Sequence, residues 1–465
     1  MPTHTHDRKR PIRFNAFQMN TVGHQSPGLW THPRDTSTLY RSTAHWVELA
    51  RLLEDGRFDA IFLADVLGAY DVYGGKHDAA IRHAVQVPLA DPLALVPLMA
   101  HATRHLGFGV TAALTYEHPY TFARRMSTLD HLTDGRVGWN IVTGYLDSAA
   151  RNLGLERQLG HDARYDLADE YLDVVYKLWE QSWDEEAVLR DKHSGVYADP
   201  ALVRNINHKG LHYSVPGIHL CEPSPQRTPF LYQAGSSPRG LAFAARHAEA
   251  TFVCGPSQKV TKRFVDETRD AVRAAGREPG EVLVYAQALI VTAPTEAEAQ
   301  AKYQDYLDHV NVEGALAMLS GWTGVDFSKI PLDATVEYID TDAGRSALAS
   351  LSSADPERRW TVREAAKFVG LGGRGPVLVG DPRQIADQLE AWQDNTGADG
   401  FNLAFAVAHE SMRDVVELVV PELQRRGRYR KEYDGGTLRH QAHGGGDRLP
   451  LHHPGRQVRI GGASH

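Results

Sequence analysis

Leu106-Gly-Phe-Gly-Val-Thr-Ala-Ala-Leu114, Tyr120-Thr-Phe-Ala-Arg-Arg-Met-Ser-Thr-Leu-Asp-His-Leu132 and Arg136-Val-Gly-Trp-Asn-Ile-Val142 succeed one another with short gaps. The first and last are predicted strands. The middle stretch has helical length and stops at Asp134-Gly135. Strand, helix, strand with short links is the βαβ unit, whose two strands run parallel in one sheet.

The same rhythm extends outward. Upstream, Ile12–Phe17 and Phe58–Leu63 are predicted strands. Ser42–Asp55 carries apolar residues at 46, 49, 50 and 53, which is helical spacing. Asp91-Pro92 opens a helix through Arg104, with an acidic cap followed by proline. Downstream, Tyr165–Glu180 is a strong helix with Tyr171, Val174, Val175, Leu178 and Trp179 on one stripe. Strands at Phe230–Gln233, Thr251–Cys254, Val282–Val291, Val377–Val379 and Phe401–Phe405 alternate with helices at Ser237–His247, Lys259–Ala275, Thr295–Leu319, Asp381–Asn395 and Ser411–Arg425. Seven to eight βα units predict an α/β chain closed as a (β/α)8 TIM barrel. A doubly wound open sheet is the alternative, and would be unusually long for one domain. The barrel domain is expected over 1–427, with long insertions at 66–90, 181–228 and 320–375 that would sit over one mouth. Residues 428–465, rich in Gly, His and Arg, read as a C-terminal tail that wraps a neighbouring subunit or stays mobile.

The chain has 465 residues, 42% hydrophobic and 23% charged, enough for a large core. Its net charge of −8 argues against a nucleic-acid or anionic-membrane binder. No apolar run approaches the roughly 18 residues of a membrane span, and no signal peptide is visible. Two cysteines, Cys221 and Cys254, make no disulfide framework, so a reducing, cytoplasmic setting is expected.

Several motifs bear on chemistry. Asp65 ends the second strand, where a barrel carboxylate faces the catalytic mouth; an N-cap or ion pair is the alternative. Thr111 puts a hydroxyl inside a buried strand, where it needs a backbone or ligand partner. His161-Asp-Ala-Arg-Tyr165 stands before the strongest helix, a setting that suits phosphate or simply a helix entry with Asp162 as cap. Gln233-Ala-Gly-Ser-Ser-Pro-Arg-Gly240 links a strand to a helix, with small residues for close approach and hydroxyls to donate; a tight turn with a Ser cap is the alternative. Gly370-Leu-Gly-Gly-Arg-Gly375 fits G-x-G-x-x-G but has a helix before it and a strand after, the reverse of a dinucleotide site, so a flexible loop is expected. His208-Lys-Gly-Leu-His212 lies in a polar loop without a further ligand at metal spacing, and no metal is expected. No Gly-x-Ser-x-Gly elbow is present to start a hydrolase triad.

Six stretches taken in order resemble the luciferase-like, reduced-FMN-dependent monooxygenases. They are Phe58-Asp-Ala-Ile-Phe-Leu-Ala-Asp65, Arg124-Arg-Met-Ser-Thr-Leu-Asp-His-Leu132, Gly135-Arg-Val-Gly-Trp-Asn-Ile-Val-Thr143, Ala150-Arg-Asn-Leu-Gly154, His161-Asp-Ala-Arg-Tyr165 and Gln233-Ala-Gly-Ser-Ser237. The subgroup is that of the nitrilotriacetate and dibenzothiophene sulfone enzymes. Met19-Asn-Thr-Val-Gly-His24, Tyr70-Asp-Val-Tyr73 and Cys221-Glu-Pro-Ser-Pro-Gln-Arg227 resemble its alkane and dimethylsulfide branch, with Thr21 and Tyr145 departing from the alkane pattern.

The resemblance implies that Asp65 and Thr111 lie near the isoalloxazine ring of FMN, and that Gly144 and Tyr145 wall it. It implies that His161, Tyr165, Ala234, Gly235, Ser236 and Ser237 hold the phosphate and ribityl end. His24, Tyr70 and Gln86 come from loops that could cover the flavin; they are candidate catalytic donors, with a structural role in those loops as the alternative. Reduced FMN and dioxygen would then oxygenate a small substrate, the flavin carrying the chemistry and the protein supplying position and dryness. A separate NADH- or NADPH-dependent flavin reductase is implied as partner, and a homo-oligomer is expected. The expected substrate is a small organic sulfide such as dimethyl sulfide, with a long-chain alkane second, because a tyrosine beside the flavin would narrow the cavity. Two other functions use the same barrel: a deazaflavin-dependent dehydrogenase, told apart by oxygen dependence, and a flavin-binding barrel without catalysis.

Overall fold

The computed structural model describes residues 10–235, 237–337, 345–352, 355 and 357–460. Eight parallel strands form the barrel: β1 (Arg13–Met19), β2 (Ala60–Ala64), β3 (Gly107–Ala113), β4 (Val137–Val142), β5 (Phe230–Gln233), β6 (Ala250–Val253), β7 (Leu283–Thr292) and β8 (Gly400–Ala404). Each pairs with its neighbours in sequence, and β8 pairs β1 through Asn15↔Asn402, which closes the ring. The sheet is a closed (β/α)8 barrel, not an open one. A further strand, Val377–Gly380, adds to the outer end of β7 at Leu289–Thr292. All ten residues of β7 are buried, as a strand covered on both faces requires.

Helices follow most strands and bury apolar stripes on the barrel. Pro119–Leu132 packs Phe122 against Trp139 of β4 at 4.6 Å between ring centroids. The expected single helix over 295–319 is two helices, Glu296–Asp308 and Val312–Thr323. The break has a local cause. The Asn311 side chain accepts the Gly314 N–H at 2.7 Å and caps the second helix, while the Asn311 N–H donates to Pro27 C=O. Periodicity alone runs straight through such a cap.

The insertions part company. Described residues of 66–90 and 320–375, among them Tyr70, Gln86, Trp322 and Arg374, reach the C-terminal mouth of the barrel. Segment 181–228, expected there too, lies on the flank: Trp183 donates to His219 C=O, and the His219 ring pairs with Ser127 of the helix 119–132 at 2.9 Å. His208 in this segment sits between Glu170 and Lys177, as a packing partner in an ion network.

The C-terminal residues, expected as a mobile or neighbour-wrapping tail, instead fold over the opposite end of this barrel through residue 460. Leu438 enters the barrel floor with Phe230, Tyr232, Leu283 and Tyr285. Arg439 is buried and pairs with buried Glu249 through two bonds of 2.6 and 2.9 Å, and donates to the Thr228 and Pro229 carbonyls. Arg430 pairs with Asp59, and Arg13 donates to Ala442 C=O. Glycine-rich composition conceals these few anchors, whose partners lie far away in sequence. Among the described residues no helix is long and apolar enough to cross a membrane.

Candidate active site

The C-terminal ends of the strands surround a cavity of about 340 Å³. The barrel supplies Asp65, Thr111, Asn140, Ala234, Cys254, Gln287 and Asn402 to its wall, and the insertions supply Tyr70, Gln86, Trp322 and Arg374. Aromatic residues Phe17, Phe62, Phe252 and Phe264 complete an apolar lining. An apolar cleft with a few convergent polar groups at this face of a barrel is where a small-molecule site is expected.

His24, Tyr70 and Gln86 all line this cavity. Tyr70 OH donates to Gln86 Oε1 at 2.8 Å and shares a 2.9 Å hydrogen bond with Tyr145 OH. Gln86 Nε2 donates to the His24 carbonyl at 3.0 Å. Burial pushes the Tyr145 phenol up to about 12, and burial also raises Tyr70 well above its ordinary range. Both phenols therefore carry their protons at neutral pH. Burial lowers His24 to about 3, so its imidazole is neutral. Asp65 is raised to about 7, first by burial and then by the charge of Asp91. Thr111 accepts from Asn140 Nδ2 at 2.8 Å, a side-chain partner rather than a backbone one. Gly144 is not on the wall. Its φ of +68° turns the chain after β4, against Tyr116, and so aims Tyr145 inward.

His161, Tyr165, Gly235 and Ser237 form a second group, next in the chain or in space to Ala234 of the cavity wall. His161 begins the helix His161–Tyr176, whose start has no side-chain cap; the Asp162 cap expected as an alternative is not made. Ser237 caps the helix Pro238–His247, accepting the Gly240 N–H at 3.1 Å. The His161 ring nitrogen lies 3.0 Å from Ser237 Oγ, so two helix starts face each other. Tyr165 is buried between them, beside Gly235 and Gly240. A Cβ on Gly235 would stand 2.5 Å from Gln233 Nε2 and 2.8 Å from Tyr165 OH, and one on Gly240 2.7 Å from the same phenol. Ser236 lies outside the described residues.

Sequence reasoning passed over Asn140 and Asn402. Each is an amide inside an otherwise apolar strand, and each leaves a buried Oδ1 without a partner among the described residues. An amide in such a strand is the signal that could have found them. It also passed over Gln287, Cys254, Trp322 and Arg374. Away from the cavity, His32, Asp305 and His309 bring three possible metal-binding atoms within 4.8 Å, but Arg34 stands 3.3 Å from the same Asp305 carboxylate and supplies its counter-charge.

The luciferase-like monooxygenase family matches residues 19–400. The dimethyl-sulfide monooxygenase of Hyphomicrobium sulfonivorans is 48% identical over 97% of this chain and 94% of that protein. The long-chain alkane monooxygenase of Geobacillus thermodenitrificans is 47% identical over 96% of this chain and 97% of that protein. A crystal structure of a riboflavin lyase with modified FMN and riboflavin superposes with a TM-score of 0.90 at 34% identity, over 97% of this chain and 100% of that one.

Proposed function

This chain belongs to the luciferase-like monooxygenase family and is a monooxygenase, and from that premise we propose that it uses reduced FMN and dioxygen to oxygenate a small organic sulfide. The residues present fit the cofactor. Gly235 and Gly240 let two backbone turns close on the Tyr165 hydroxyl, beside two helix starts and a Ser/Tyr/His set suited to phosphate. The orphaned amide oxygens of Asn140 and Asn402 leave hydrogen-bonding capacity in the cavity where a ring would lie.

Bound there, reduced FMN would activate dioxygen and pass one oxygen atom to the substrate. His161, Tyr165 and Ser237 would hold its phosphate, and Asp65, Thr111, Asn140 and Tyr145 would border its ring. Tyr70 and Tyr145 hold protons that a hydrogen-bonded pair can present to the reacting group, and Gln86 keeps Tyr70 in place. Trp322 and Tyr70, brought by the insertions, add aromatic surface to the cavity wall. A separate NAD(P)H-dependent flavin reductase, a cytoplasmic location and a homo-oligomer belong to the same proposal; the two free cysteines suit a reducing compartment.

The observation that carries the sulfide reading is the Tyr70–Tyr145 pair, which occupies one end of a cavity that must also take the flavin ring. A short substrate fits what remains better than a long chain. The near-equal identity to the alkane enzyme keeps the long-chain alkane as the second reading. Oxygen uptake with a flavin reductase, comparing dimethyl sulfide with hexadecane, separates them. Product from hexadecane and none from any sulfide would reverse the choice.

A further inference from the structure

The stretch Gly370-Leu-Gly-Gly-Arg-Gly375, expected as a flexible loop, is a buried and clamped turn. Gly372 and Gly373 adopt φ of +82° and +78°. The Gly372 N–H donates to Ser26 Oγ at 3.1 Å, and its carbonyl accepts from Gln287 Nε2 at 2.7 Å. A Cβ on Gly373 would fall 2.0 Å from Gln25 Oε1, and one on Gly375 2.4 Å from the Gln287 carbonyl. The glycines therefore let the backbone press into the barrel mouth. The residue they present to the cavity is Arg374, whose guanidinium stands 5.6 Å from the centre of the Trp322 ring.

The charge inventory of the cavity makes Arg374 unusual. Among the described residues on the wall it is the one fixed cation, since burial keeps His24 neutral. No described residue gives it a hydrogen bond or an ion pair. The one wall carboxylate, Asp65, is itself pushed toward its neutral form. Arg374 acts at the phenol end of the cavity, where its field bears on Tyr70 and Tyr145. A half-enclosed guanidinium without a counter-ion is costly unless a ligand brings the negative charge.

We propose that Arg374 pairs with the negative charge that reduced FMN carries on its ring system, so that the site selects reduced over oxidised FMN. The proposal rests on the FMN reading above. Both redox forms carry the same phosphate, so the seat at Ser237, Tyr165 and His161 holds them alike. The reduced ring is an anion near neutral pH and the oxidised ring is not. A cation at the ring end is therefore the element able to tell them apart. For an enzyme that must capture reduced flavin from a pool containing both forms, that preference has a direct use.

The test is anaerobic titration of the full-length protein with oxidised and with dithionite-reduced FMN, for wild type, Arg374→Gln, Arg374→Lys and Ser237→Ala. Arg374→Gln should lose about tenfold or more in affinity for reduced FMN while oxidised FMN binds within about twofold. A tenfold change in that ratio equals about 30 mV in the two-electron potential of the bound flavin. Arg374→Lys should restore most of the preference, and Ser237→Ala should weaken both forms equally. Equal losses for both forms in Arg374→Gln, or none, would overturn the proposal. Failure of wild type to bind either form would overturn the cofactor reading and this proposal with it.

Discussion

Replacing Ser237 separates its two duties. Its Oγ caps the helix Pro238–His247 through the Gly240 N–H and faces His161 across the seat. Ser237→Ala loses the cap, worth about 1 kcal/mol of stability. It also loses a charge-assisted bond to phosphate, worth about 1.5–3 kcal/mol, or about 10- to 150-fold in Kd. Two further variants split these terms. Ser237→Gly removes the hydroxyl but costs only a few tenths of a kcal/mol at a cap position, so affinity should fall while Tm barely moves. Ser237→Asp caps as well as serine but sets a carboxylate against the phosphate, so stability should hold and FMN binding should fail. The assay is quenching of FMN fluorescence for Kd beside a thermal melt of the flavin-free protein. If Ser237→Asp binds FMN like wild type, or Ser237→Ala loses stability with Kd unchanged, the hydroxyl is only a cap and the phosphate lies elsewhere.

Tyr70→Phe should lower turnover about a hundredfold, the lower end of what a positioned proton donor contributes, with FMN affinity within about twofold; stopped-flow turnover and flavin titration read the two. Asp65→Asn should stabilise the flavin-free protein at pH 8 and not at pH 4. The folded pKa of about 7 lies above the ordinary carboxylate value, so wild type loses stability as pH rises between about 4 and 7 while the variant does not; a gap in Tm independent of pH would refute this. Arg439→Met should cost about 3–5 kcal/mol in urea unfolding, because it leaves the buried Glu249 carboxylate unpaired, and adding Glu249→Gln should recover much of the loss.

The barrel was legible because buried parallel strands and the helices between them write two distinct periods into the chain, and no long-range information is needed to see them. That His161 and Ser237 stand at helix starts was legible for a similar reason, being a local feature. What escaped depends on partners remote in sequence. Leu438 and Arg439 look like isolated residues in a polar tail until Glu249 and the barrel floor are placed beneath them. Arg374 looks like a loop residue until Gln25, Ser26 and Gln287 are seen to clamp its glycines. Asn140 and Asn402 were visible as amides in apolar strands, but only closure of the ring shows that both face one cavity. Gly144 and Tyr145 were expected to line the wall together, but only Tyr145 lines the cavity, since the positive φ of Gly144 cannot be read from the residue type alone.

The most direct test mixes the enzyme with reduced FMN and dimethyl sulfide under oxygen-18 gas and follows the label into the organic product. Formation of a product carrying one labelled atom from dioxygen, with no product when oxygen is withheld, is the predicted result. Substrate oxidation that proceeds anaerobically, or an organic product whose oxygen comes from water, would contradict the account.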